Sequence, residues 1–157
     1  MNIRILAIGK TDNKALQSLI DDYQKRLSFY IKFDLEVIPD IKNVKHLSEA
    51  QQKEKEGELI LGKLTPTDQL VLLDENGKHF SSMGFSEELQ KKMNSGVKTL
   101  VYVIGGPYGF SDAVYQKAQG KIALSSMTFS HQMVRLFFIE QLYRGFTILK
   151  NEPYHHQ

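Results

Sequence analysis

The chain has 157 residues, no cysteine, 41% hydrophobic and 24% charged side chains, and a formal charge of +2. That length and balance fit one globular domain, residues 1–157, with a sizeable core; they exclude a disulfide framework and a cysteine zinc site. A charge so small argues against gripping a long duplex through phosphates alone, so any nucleic-acid contact is expected to be local or shared with another surface.

Arg4 interrupts the first apolar run, and the layout of a secretory signal is missing. No apolar stretch reaches the roughly 18–20 residues that span a bilayer. No membrane is therefore expected, and the cytoplasm is the expected compartment. In chain order, NIRILAI at 2–8 reads as a strand. Between Asn13 and Tyr30, the residues Leu16, Leu19, Ile20, Tyr23, Leu27 and Tyr30 recur at three and four, which predicts an amphipathic helix. FDLEVIP at 33–39 alternates apolar and acidic residues, as an edge strand does. Ser48 and Gln51 have the spacing of a capping box, and the helix they open is stopped by Pro66. QLVLLD at 69–74 predicts a strand that ends in an Asn76-Gly77 turn. Phe85, Leu89 and Met93 have helical spacing. TLVYVI at 99–104 is apolar throughout, as a strand buried on both faces must be. A short helix from Ser111, a strand at 121–124 and a long helix over 130–150 complete the chain. Alternating strands and helices predict an α/β fold, with a mostly parallel five-stranded sheet and helices on both faces.

Ligands of such sheets sit beyond the carboxyl ends of the strands. Three ends are candidates: Leu73-Asp74, Ile104-Gly105-Gly106 and Leu124-Ser125-Ser126. Gly105, Gly106 and Gly109 give G-G-x-x-G, not the dinucleotide fingerprint. No Gly-Lys-Ser/Thr follows, and no acid closes a later strand, so phosphate binding is poorly supported. The glycines read either as a tight turn needing positive φ or as backbone that must approach a flat ligand. LSSMTFSHQ at 124–132 mixes small hydroxyls with apolar side chains, which suits an adenine-like ring or a plain loop with Ser130 as helix cap. The last helix is apolar around most of its circumference and predicts packing on a second copy of the chain. Glu140 and Arg144 stand at i,i+4, either as a simple pair or as the lining of an interface pocket. No paired carboxylates, metal cluster or Ser/His/Asp set is apparent.

Seven segments in register, ILAIGK, KEKEG, LLD, IGGPYGF, LSSMTFSHQMVR, IEQLYRGF and NEPYH, resemble the small bacterial ribosomal RNA large-subunit methyltransferases of the SPOUT superfamily. The resemblance runs from end to end. It implies a C-terminal trefoil knot that binds S-adenosyl-L-methionine, and methylation of N3 of pseudouridine 1915 in helix 69 of 23S ribosomal RNA, on the assembled ribosome. By motif position, it implies cofactor contacts from Leu73, Gly105, Gly106, Leu124, Ser125, Ser126, Met127, Thr128 and Phe129. It also implies a homodimer in which one tail completes the other subunit's site. On this footing Tyr154 orients the pseudouridine, His155 assists proton removal, and Arg135 and Arg144 grip RNA or stabilise the anion. His131, Tyr108 and Glu140 are expected to face RNA, and no metal is expected. Two departures stand out: Ser130 replaces a proline common in relatives, and Glu152 a histidine. The rival readings are a SPOUT methyltransferase acting on tRNA and a non-catalytic nucleotide-binding dimer.

Overall fold

In the computed structural model, which describes residues 1–156, strands and helices alternate. The strands are β1 (Asn2–Ile8), β2 (Lys32–Ile38), β3 (Asp68–His79), β4 (Thr99–Ile104) and β5 (Gly120–Ala123). The helices are α1 (Lys14–Leu27), α2 (Glu49–Leu61), α3 (Ser82–Asn94), α4 (Asp112–Lys117) and α5 (His131–Leu149). Every helix starts on a side-chain cap: Asn13, Ser48, Ser81, Ser111 and Ser130 each accept a bond from a backbone N–H in the first turn. Such caps stabilise by about 1 kcal/mol each. The expected Ser48–Gln51 capping box is complete.

All neighbouring strands run parallel, in the order β2-β1-β4-β3-β5. The period of two divides the core. Ile3, Ile5, Leu100, Tyr102 and Ile104 face α1, α3 and α5, whereas Leu6, Ile8, Val101 and Val103 face α2 and α4. This is why β4 reads as unbroken apolar sequence. The charged β2 is an edge strand, as its alternation predicts.

One expectation fails. Asn76-Gly77 does not end β3, which continues to His79 and pairs a second time with β5. The register shifts between Leu73 and Lys78, so both residues lie opposite Ile122. A Cβ on Gly77 would stand 2.5 Å from the Ile122 backbone, so glycine there permits close passage rather than a turn. β5 lies beyond β3 although it follows β4 in the chain, so the connection crosses β3. α4 makes that crossing on the α2 face, and the chain then returns as α5 to the face of α1 and α3. The return segment, 124–130, runs past the carboxyl ends of β3 and β4.

Candidate cofactor cleft and tail cluster

A cleft opens where the carboxyl ends of β3, β4 and β5 meet the start of α5. On one side it is lined by Leu73, Leu124, Ser125, Met127, Thr128 and Phe129. On the other it is lined by Gly105, Gly106, Tyr108 and His131, with Leu73 and Phe129 shared between the two. This second part has a volume of about 430 Å³, in the range of small-ligand sites. Eight of the nine residues expected to touch the cofactor thus line it; Ser126 is exposed and does not. The 124–129 segment is shaped locally, because the Met127 N–H donates to Ser125 Oγ at 2.9 Å. Ser130 then caps α5.

The glycines of the opposite wall serve a tight turn, as expected, and also close contacts inside the protein. Only Gly109 has positive φ (+79°), closing a turn through Pro107 and Tyr108 onto the Gly106 carbonyl. Gly105 and Gly106 are small because of the protein's own interior. A Cβ on Gly105 would meet the Phe110 ring at 3.0 Å, and one on Gly106 would meet the Glu56 carboxylate at 2.5 Å. Glu56 is 3% exposed; its Oε1 accepts from Gln52 at 3.0 Å, and its Oε2 has no partner among the described residues. Burial, chiefly, pushes its carboxyl above the usual range, and Asp40 adds to this.

Asp74 stands with Leu73 at one of the three expected strand ends. It lines the cleft, accepting bonds from the Asn76 N–H and the Tyr115 hydroxyl. A carboxylate at a strand's carboxyl end is suited to bind ribose hydroxyls. Burial first, and Asp74 second, push the Tyr115 hydroxyl up to about 12.

Arg135 does not face solvent. It is fully buried, donating to the Ile8 carbonyl at 2.7 Å and to Thr11 Oγ1 at 3.0 Å. From there it ties α5 to the end of β1, and its burial argues against the RNA-gripping alternative of its expected role. Gln132 makes a similar tie, donating to the Lys10 carbonyl and accepting from the Asp12 N–H.

The remaining expected residues gather elsewhere. Glu140 Oε1 accepts from Arg144 Nη2 at 2.6 Å, Arg144 Nε at 3.1 Å and the Tyr154 hydroxyl at 2.9 Å. The Arg144 guanidinium lies over the Tyr154 ring at 4.7 Å, and its Nη1 is 3.3 Å from His155 Nδ1. Sequence reasoning missed the aromatic residues that seat this tail. Tyr143 packs edge-on to Tyr154, the Tyr23 hydroxyl lies 3.0 Å from that of Tyr154, and Tyr30 donates to Glu152. Burial first, then Tyr23 and Glu140, hold the Tyr154 hydroxyl above its ordinary value. Arg144 stands 13 residues along α5 from His131 at the cleft, about 20 Å at the helical rise.

Residues 1–155 match the family model described as predicted SPOUT methyltransferase. The chain is similar over its full length, and over theirs, to proteins named ribosomal RNA large subunit methyltransferase H. That of Flavobacterium johnsoniae is 85% identical, that of Flavobacterium psychrophilum 83%, and that of Parabacteroides distasonis 65%.

Proposed function

The chain belongs to the SPOUT methyltransferase family, whose fold carries a C-terminal trefoil knot, and from this we propose that it methylates 23S ribosomal RNA with S-adenosylmethionine as donor. The target proposed is N3 of pseudouridine 1915 in helix 69, presented by the assembled ribosome in the cytoplasm. The observation that carries this reading is the cleft, where eight of the nine cofactor residues implied by motif position come together.

The cleft fits the cofactor chemically. Leu73, Leu124, Met127 and Phe129 offer apolar walls for an adenine ring, and Ser125, Thr128 and Asp74 offer polar contacts for base and ribose. When bound, S-adenosylmethionine supplies an electrophilic methyl sulfonium. The protein has to hold N3 in line with that methyl group and favour loss of the imide proton.

We assign that task to Tyr154, His155 and Arg144. The Tyr154 hydroxyl already donates to Glu140, so it orients the base and does not take the proton. With His155 Nδ1 facing the Arg144 guanidinium, the neutral ring carries its proton on Nε2. That N–H, with the positive charge of Arg144, stabilises a carbonyl oxygen of the imide anion as N3 loses its proton to water. Tyr108 and His131 stand at the rim of the cleft, where RNA enters.

Because the tail cluster sits about 20 Å along α5 from its own cleft, a homodimer in which each tail serves the other subunit's cleft is part of the proposal. Met133 and Phe137, 38% and 37% exposed on α5, offer an apolar strip beside Phe129 for that contact. Mixing tests it. Tyr154→Phe and Gly105→Val, each slow alone, should regain about a quarter of wild-type methyl transfer to ribosomes when co-assembled, since half the dimers hold one intact composite site. No recovery would sink the shared site. Absence of S-adenosylmethionine binding by titration calorimetry would sink the enzyme reading altogether.

A further inference from the structure

Helix α1 takes no part in the motifs that carry the resemblance, yet it meets the tail at one point. The Tyr154 hydroxyl donates to Glu140 Oε1 at 2.9 Å, and its oxygen lies 3.0 Å from the Tyr23 hydroxyl. With its own proton committed to Glu140, Tyr154 can only accept from Tyr23. The bonds therefore run in one direction, from Tyr23 to Tyr154 to Glu140, where both Arg144 bonds also end. Such a chain is cooperative, each donor polarising the next.

The Tyr23 ring is itself fixed. Tyr143 packs edge-on to it, with centroids 5.8 Å apart, and the Arg26 guanidinium lies 5.3 Å from its centroid. Asp22 holds that guanidinium at 3.0 Å. Tyr143 is also edge-on to Tyr154, at 4.7 Å, so one ring braces both phenols. The Tyr23 hydroxyl on α1, and the Glu140 carboxylate and Tyr143 ring on α5, thus set both the position and the rotation of the Tyr154 hydroxyl.

We propose that Tyr23 is a positioning residue for methyl transfer, fixing the Tyr154 phenol through the Tyr23–Tyr154–Glu140 chain of hydrogen bonds. This rests on the assignment of Tyr154 to the reaction. Tyr23→Phe keeps the ring and its packing and removes only the donor. Loss of one such bond between oriented groups is worth a rate factor of roughly five to ten.

The test uses the full chain and purified ribosomes. Tyr23→Phe should lower kcat by about five- to tenfold, leaving KM for ribosomes, calorimetric affinity for S-adenosylmethionine and Tm unchanged. In a Tyr154→Phe background it should cost nothing more, because the two act as one unit. Wild-type kcat in Tyr23→Phe beside a slow Tyr154→Phe overturns the inference alone. So do multiplying losses in the double variant, or a change confined to KM or Tm. A wild-type rate in Tyr154→Phe overturns the assignment of the tail, and this inference with it.

Discussion

The Glu56 carboxylate occupies the place where a side chain on Gly106 would stand: a Cβ there would lie 2.5 Å from Oε2 and 2.7 Å from Oε1. α2 therefore backs the wall of the candidate cleft, and the size of residue 106 is set from behind. Gly106→Ala should push this wall into the cleft, weaken S-adenosylmethionine binding at least tenfold and lower Tm. Adding Glu56→Ala opens the space again and should recover most of the loss, a coupling that calorimetry on the four variants reads directly. Independent, additive losses would count against the contact.

Glu56 also makes a prediction in pH. Its carboxyl is raised by burial, so the unfolded chain ionises it at a lower pH than the folded one does. The folded state is favoured fully below the ordinary carboxylate pKa, and this advantage fades as pH rises through the raised value. Glu56→Gln has no such term. Its Tm relative to wild type should therefore climb from acid to neutral pH, and a difference that stays flat would refute the assignment.

Arg135 and Arg144 separate by salt dependence. Arg144→Ala removes a cation from the proposed RNA surface and should reduce the slope of log K against log salt by about one for ribosome binding. Arg135→Met should leave that slope alone. It should cost about 1–3 kcal/mol of folding stability, because the Ile8 carbonyl and the Thr11 hydroxyl lose a buried donor. Denaturant melts and filter binding at several salt concentrations measure both.

The tail should loosen in alkali. The Tyr30 hydroxyl is pushed up to about 12, first by its bond to Glu152, then by burial. Tyrosines of the unfolded chain ionise near 10. The stabilisation is therefore whole below about pH 10 and is lost as pH rises towards 12. Glu152→Gln should bring the Tyr30 transition to lower pH in ultraviolet tyrosinate titration; an unchanged midpoint would show that the tail does not lean on Tyr30.

Much of this was legible along the chain. The helix caps at Ser48 and Ser130, the apolar run of β4 and the charged edge strand β2 are local signals, and each element stands where its own pattern puts it. Seven motifs in register carried the family. Asn76-Gly77 misled because two needs share one residue type: a turn and a close strand crossing both call for glycine, and only the Ile122 backbone beside Gly77 tells them apart. Arg135 misled in the same way, since an arginine on an apolar helix reads as a ligand group until the Ile8 carbonyl is seen to accept its hydrogen bond.

Periodicity, capping and motif order act over a few residues at a time, and on that scale the chain states its elements, its layered sheet and its candidate cleft. The meeting of Tyr23 with Tyr154, 131 positions apart, has no local signature. It exists because α1 and α5 pack on one face of the sheet and the tail folds back across them. That packing set three things that no short stretch encodes: the hydrogen-bond chain through Tyr154, the burial of Arg135, and the distance between the tail and its own cleft.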